Sequence, residues 1–181
     1  MISVKCINTL VVCMVAFVLV LLLLAGCKPP ARESFGNAEA AERAGNFQLA
    51  VQDYGAVVGD HPSDSLAAVA QFKIASIQQN NLGDFPAAIA SYRRYVELYP
   101  STPQTATATF LIAYVYNNEM HNIDSAAAWY GRFLEAYPGH EMAPSAKFEI
   151  QNLGKTPEEL LPPEPATRMP GKAAGKDRTA R

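Results

Sequence analysis

Cysteine, histidine and tryptophan are scarce, with three, three and one in 181 residues. Cys6 and Cys13 fall in the first 26 residues, so the rest of the chain keeps the single Cys27. A lone thiol on a secreted chain would invite intermolecular pairing or act as a reactive group unless it were capped. The histidines, His61, His121 and His140, are scattered, and no two stand four apart. No His-Glu-x-x-His or Cys-x-x-Cys spacing occurs, so a transition-metal centre is not expected. The Gly-x-Ser-x-Gly elbow, the phosphate-binding loop and the dinucleotide fingerprint are missing as well. Without convergent nucleophilic or titratable groups, neither an enzyme nor a bound cofactor is expected. Positive charge is also short where it would matter. Residues 28–154 carry 8 Lys or Arg against 13 Asp or Glu, and an acidic domain repels phosphate, so nucleic acid is not an expected partner.

What is present begins with a long apolar run from Leu10 to Leu24, preceded by Lys5 and followed by Ala25, Gly26 and Cys27. A charged start, an apolar middle and a small-residue end read as a secretory signal over residues 1–26, excluded from the fold. At 15 residues the run is shorter than the roughly 20 that a membrane span needs. The Leu24-Ala25-Gly26-Cys27 ending resembles the lipobox of bacterial lipoproteins. That resemblance implies cleavage before Cys27, a diacylglycerol on its sulfur and an acylated amino terminus, which caps the lone thiol. Stable anchoring takes about two acyl chains, so a triacylated end holds a protein on a membrane without a spanning helix. Lys28 stands where an Asp would favour the inner membrane in such lipoproteins, so the resemblance implies the outer membrane, facing the periplasm. Residues 27–32 form a short tether, which keeps the folded part, residues 33–154, close to the bilayer.

Residues 155–181 hold five prolines and two glycines, with Leu160 and Leu161 the main large apolar residues. Such a composition buries too little surface to offset chain entropy, so disorder is expected. The segment carries 6 basic against 4 acidic residues. It could serve as a basic arm for anionic lipid, cell wall or an acidic partner.

Between these ends the chain repeats itself at a spacing of 38. Phe47, Phe85 and Ile123 align, followed in step by Ala50, Ala88 and Ala126, by Tyr54, Tyr92 and Tyr130, and by Pro62, Pro100 and Pro138. Phe72, Phe110 and Phe148 keep the same register, as do Ile74, Ile112 and Ile150. A fixed period of about 20 to 50 residues marks an array whose units bury their apolar faces against neighbours. Within each unit the spacing is helical: Phe85, Ala88, Ile89, Tyr92, Tyr95 and Val96 trace one face. The stretches from Phe72 and from Phe110 are apolar over more of their circumference, and more deeply buried helices are expected there. Gly45 and Gly83 suit left-handed helix ends, and Asn46, Asp84 and Asn122 suit the caps that follow. Pro86 falls in a first turn, where its missing amide costs nothing. His121 replaces the third glycine, so a slightly strained turn is expected. The tyrosine series reads as core, and Trp129 lies one position off that stripe.

Gly83-Asp84-Phe85, Ala88, Tyr92 and Pro100 stand at the offsets of the tetratricopeptide repeat, which the chain resembles over residues 33–153. The resemblance implies an all-α solenoid of helical hairpins, here about three repeats plus a capping helix from Glu141 to Leu153. Two features depart from the common pattern. The period is 38 and not 34, and Tyr95 and Phe133 stand where alanine is frequent. Four extra residues before Phe72 and Phe110 add about one turn to the helix they precede. Long repeats ending in the Tyr99-Pro100-Ser101 style on an exported chain resemble the envelope repeat proteins of the outer-membrane β-barrel assembly and Tol-Pal systems. The assembly lipoprotein has five repeats against three here, so the likeness is to the wider envelope class.

The repeat family implies a groove lined by the first helix of each unit. Its usual positions fall on Lys73, Ile77, Asn80 and Asn81, and in the next unit on Leu111, Val115, Asn118 and Glu119. Asparagines could hold an extended peptide backbone while Ile77, Leu111 and Val115 cover an apolar anchor. The expectation is a lipid-anchored scaffold binding an envelope protein or peptide, in outer-membrane protein assembly or envelope organisation. The competing reading is a structural, wall-contacting lipoprotein that works through its convex face and basic tail.

Overall fold

The computed structural model describes residues 28–155 and Glu159. The signal segment, Cys27 and nearly all of the tail lie outside the described residues. Within these limits seven α-helices and no strands occur: α1 (Ala31–Arg43), α2 (Phe47–Asp60), α3 (Ser65–Asn80), α4 (Phe85–Leu98), α5 (Gln104–Asn118), α6 (Ile123–Ala136) and α7 (Ala143–Asn152). Each helix packs on the next in sequence, and α1 also touches α3. The architecture is that of an all-α helical-hairpin solenoid: α1–α2, α3–α4 and α5–α6 are hairpins, and α7 covers the last.

Local chemistry sets the boundaries. Gly45 and Gly83 hold φ of 77° and 63° at the turns into α2 and α4. His121 takes φ 50° at the same place before α6, a left-handed conformation that costs a side chain about 1 kcal/mol or more. Asp84 Oδ1 accepts from the Ala87 amide at 3.1 Å, and Asn122 Oδ1 accepts from the Ser125 amide at 3.0 Å. Asn46, the third member of that series, makes no such bond. Pro86 sits in the first turn of α4. Pro62, Pro100 and Pro138 each stand two residues beyond a helix end. Helices α3 and α5 run to 16 and 15 residues against 14 in the helices that follow them.

Packing repeats with the sequence. Tyr54, Tyr92 and Tyr130 are buried, as their register requires. In the second hairpin the Phe72 ring lies edge-on to Tyr92 and Tyr95, at 5.6 and 5.4 Å between centroids. Phe110 meets Tyr130 and Phe133 in the same way at 5.3 and 5.6 Å. Tyr95 and Phe133, the departures from the common alanine, therefore form the second jaw of an aromatic clasp. Each such ring pair adds about 0.5–1.5 kcal/mol beyond its buried area. The faces of α3 and α5 are buried more widely than those of their partners, as their apolar circumference predicts.

The amino-terminal end differs from expectation by two residues. Helix α1 begins at Ala31 and not at residue 33, so Arg32 is helical and, among the described residues, Lys28, Pro29 and Pro30 precede the helix. That stretch is fastened to the end of α2. Lys28 pairs with Asp60 at 2.6 Å, and His61 Nε2 donates to the Pro29 carbonyl at 2.8 Å.

Candidate functional site

The eight groove positions separate into two kinds. Ile77 and Val115 are core residues, 2 % and 0 % exposed, and cannot cover a ligand. Ile77 belongs to a cluster with Ala38 and Ala41 of α1 and Tyr54 of α2, and Val115 to one with Ile89 and Tyr92 of α4. Leu111 is half-buried at the edge of that second cluster. Asn80, Asn81, Asn118 and Glu119 are exposed at the carboxyl ends of α3 and α5. Asn80 Nδ2 donates to Ser76 Oγ at 3.1 Å, and Asn118 Nδ2 donates to the Tyr114 carbonyl at 3.0 Å, so both side chains bond within their own helices.

Lys73 is the position the fold uses most. Its ammonium donates to both carboxylate oxygens of Glu42 on α1, at 3.0 and 3.2 Å. Glu42 Oε2 also accepts from the Tyr54 hydroxyl at 2.7 Å. Burial works against ionising Glu42, but the bonds from Tyr54 and Lys73 outweigh it and hold the carboxyl below its usual value. Burial first, and the hydrogen bond to Glu42 second, push the Tyr54 hydroxyl well up. Lys73 thus stands between two openings. One, of about 340 Å³, is polar and bounded by Glu39, Glu42, Arg43 and Asn81.

The other is the more informative. About 440 Å³ opens between the first half of α3 and the turn from α4 into α5, walled by Ala68, Val69, Phe72, Tyr95 and Pro103, with Lys73 and Gln104 at its border. Its floor is fixed: the Tyr95 hydroxyl bonds to Thr102 Oγ1 at 2.7 Å, and Thr102 in turn bonds to Thr105 Oγ1 at 2.9 Å. Val69 is 47 % exposed at its mouth. The 38-residue register explains why the opening exists here. Gln104 corresponds to Leu66 in the unit before and to Met142 in the unit after. Leu66 and Met142 pack onto the core clusters of their own units, whereas Gln104 is exposed. Thr102 corresponds to His140, whose ring lies 5.6 Å from Phe133. Leu66 and Met142 are thus packed at the register position where Gln104 is exposed beside the opening.

None of Ala68, Val69, Phe72, Tyr95, Thr102 or Gln104 is among the positions implied by the repeat family. Comparing the copies at Leu66, Gln104 and Met142 is the signal that would have found them. Trp129 is partly buried, with the Arg132 guanidinium 4.7 Å from its ring centre and that of Arg93 at 6.0 Å. No group of three or more His, Cys, Asp or Glu is placed to hold a metal among the described residues. No described helix is long and apolar enough to cross a membrane.

Residues 81–141, from the end of α3 to the turn after α6, match the family model of the tetratricopeptide repeat. No curated protein matches the chain. Proteins built from this repeat are typically interaction scaffolds and not enzymes, and they generally bind other proteins. The family match over residues 81–141, the hairpin packing and the 38-residue register agree on one architecture: a tetratricopeptide-like helical-hairpin solenoid.

Proposed function

We propose that the chain is a lipid-anchored interaction scaffold of the bacterial cell envelope, whose middle repeat takes an apolar side chain of a protein partner. The observation that carries the partner reading is the opening beside Phe72 and Tyr95. It is concave, mostly apolar, rimmed by a few polar groups and of the size that binding pockets have. Burying one Leu-, Ile- or Phe-sized side chain there contributes about 1.5–3 kcal/mol. The lipobox ending at Cys27 and the short stretch before α1 support anchoring close to a bilayer. The Lys28 position supports the outer membrane, facing the periplasm. Service in outer-membrane protein assembly is the narrower form of this reading.

Placing a photo-crosslinking residue at Val69 in cells tests the partner reading, with Ala44 at the opposite edge as control. A product of one defined mass at position 69, lost when Gln104→Met fills the opening, is expected. Equal products at both positions would count against it. For the anchor, Cys27→Ala should leave the membrane fraction, and a variant that stays there after signal cleavage would refute lipidation.

A further inference from the structure

Three of the 8 Lys and Arg in residues 28–154 stand together on α4 and α6, and no carboxylate of the described chain answers them. Lys28, Arg43 and Lys73 each pair with an acid, at 2.6, 3.8 and 3.0 Å. Arg93, Arg94 and Arg132 are exposed and make no ion pair or hydrogen bond among the described residues. Glu97 lies one turn beyond Arg93 and Arg94, and Glu135 one turn beyond Arg132, yet neither forms an ion pair with them.

Two of these arginines, from different helices, converge on one ring. The Arg132 guanidinium lies over Trp129 at 4.7 Å from the ring centre, and that of Arg93 at 6.0 Å, the range in which a cation is drawn to an aromatic face. A guanidinium laid on a ring uses its face there and keeps a planar edge of N–H donors for another acceptor. Two like charges at one ring also repel each other, and an anion between them relieves that repulsion.

The 38-residue register shows that the arrangement is not part of the stack. Arg93 stands where α2 and α6 have Gly55 and Gly131, and Trp129 stands where α2 and α4 have Asp53 and Ser91. Neither belongs to the frame that the three units share. Beside the arginines about 430 Å³ opens over Ala90, Arg93, Arg94, Glu97 and Leu98, and Leu98 is 50 % exposed. Apolar surface therefore adjoins the charge.

We propose that Arg93, Arg94 and Arg132 hold the carboxylates of an acidic segment in a protein partner, whose apolar side chain rests on Trp129 and Leu98. A long polyanion or an anionic bilayer meets the whole domain, with its 13 Asp or Glu against 8 Lys or Arg, and is repelled. A short segment meets only the charges within a Debye length of about 8 Å, where three arginines outnumber Glu97 and Glu135. None of these residues borders the opening beside Phe72. The site stands whether or not that opening takes a side chain.

Trp129 is the chain's only tryptophan, so its fluorescence reports this site alone. The full chain in non-ionic detergent micelles should be titrated with the peptide acetyl-Gly-Glu-Glu-Leu-Glu-Glu-Gly, and with the same peptide carrying Gln in place of each Glu. The expected result is a saturable change in emission with the Glu peptide, weaker by about tenfold or more for the Gln peptide and in Arg93→Gln/Arg132→Gln. Arg93→Lys/Arg132→Lys keeps the charge without the planar fork and should fall between. All these variants should melt like the parent by circular dichroism, since both arginines are exposed. No saturable change with the Glu peptide would overturn the proposal, as would equal binding of the Gln peptide or by Arg93→Gln/Arg132→Gln. Equal weakening in Gln104→Met would overturn it too, by assigning the effect to the opening beside Phe72. A stronger response to phosphatidylglycerol added to the micelles would make a lipid surface the occupant, and self-association lost in Arg93→Gln/Arg132→Gln would make it a second copy; either overturns the proposal.

Discussion

Three tyrosines at one register position, each replaced by phenylalanine, should give three different answers. The rings of Tyr54, Tyr92 and Tyr130 are equally buried, so each substitution removes only a hydroxyl from the same place in successive units. Tyr54 donates to the Glu42 carboxylate at 2.7 Å, and a bond to a charged group is worth about 1.5–3 kcal/mol. Tyr92 donates to Gln79 Oε1 at 3.0 Å, a neutral bond worth about 0.5–1.5 kcal/mol. The Tyr130 hydroxyl is buried and has no partner among the described residues, so phenylalanine there removes a desolvation cost of about 1–3 kcal/mol. Glu42 keeps its Lys73 bonds when Tyr54 is changed, which places Tyr54→Phe at the low end of its range. The expected order is a loss of about 1.5 kcal/mol at Tyr54, about 1 at Tyr92, and no loss or a gain of up to about 1 at Tyr130. Urea unfolding followed by circular dichroism resolves these differences, and each kcal/mol should move Tm by about 3–5 °C for a domain of this size. Equal losses at all three positions would refute the reasoning, since ring burial would then decide stability and hydroxyl partners would not.

Backbone conformation yields a second pair of variants. His121→Gly should stabilise by about 0.5–1 kcal/mol because a side chain no longer occupies the left-handed region, and Gly83→Ala should cost about 1 kcal/mol or more, both by urea unfolding. Burial pushes Tyr92 up to about 12, and Tyr54 and Tyr130 also rise. Groups whose folded pKa is raised stabilise below the unfolded value near 10 and lose that contribution as pH climbs, so unfolding should set in between about pH 10 and 12 and shift upward in the triple phenylalanine variant. Glu42 has the opposite sign: its lowered pKa adds stability above the unfolded value of 4.5 that disappears as pH falls below it, and Lys73→Met should shrink that acid dependence in a pH titration of stability. Opening the aromatic clasp with Phe72→Ala should cost about 3–5 kcal/mol, read by the same unfolding curves.

The hairpins were legible because the residues that build them recur. Gly45, Gly83, Asp84, Asn122 and the tyrosines announce turns, caps and core through local rules that hold in any helical array. The left-handed His121 could be anticipated for the same reason. Ile77 and Val115 could not be placed from one helix face, because what buries them is the neighbouring helices, α1 and α2 for Ile77 and α4 for Val115. Lys73 likewise turned out to be tied to Glu42, 31 positions away in sequence, a distance no periodicity reports. The opening beside Phe72 depends on what Gln104 and Thr102 fail to fill, and a missing contact leaves no motif. It becomes visible only when Leu66, Gln104 and Met142 are compared as equivalents.

The proposed function requires that a partner side chain be held in that opening. Once a partner is in hand from crosslinking at Val69, its affinity for the chain and for Gln104→Met should be measured by titration calorimetry. If a partner side chain fills the space, losing its burial of about 1.5–3 kcal/mol weakens binding about 10- to 100-fold, while Tm stays the same or rises. An unchanged affinity in a fully folded Gln104→Met variant would contradict the account.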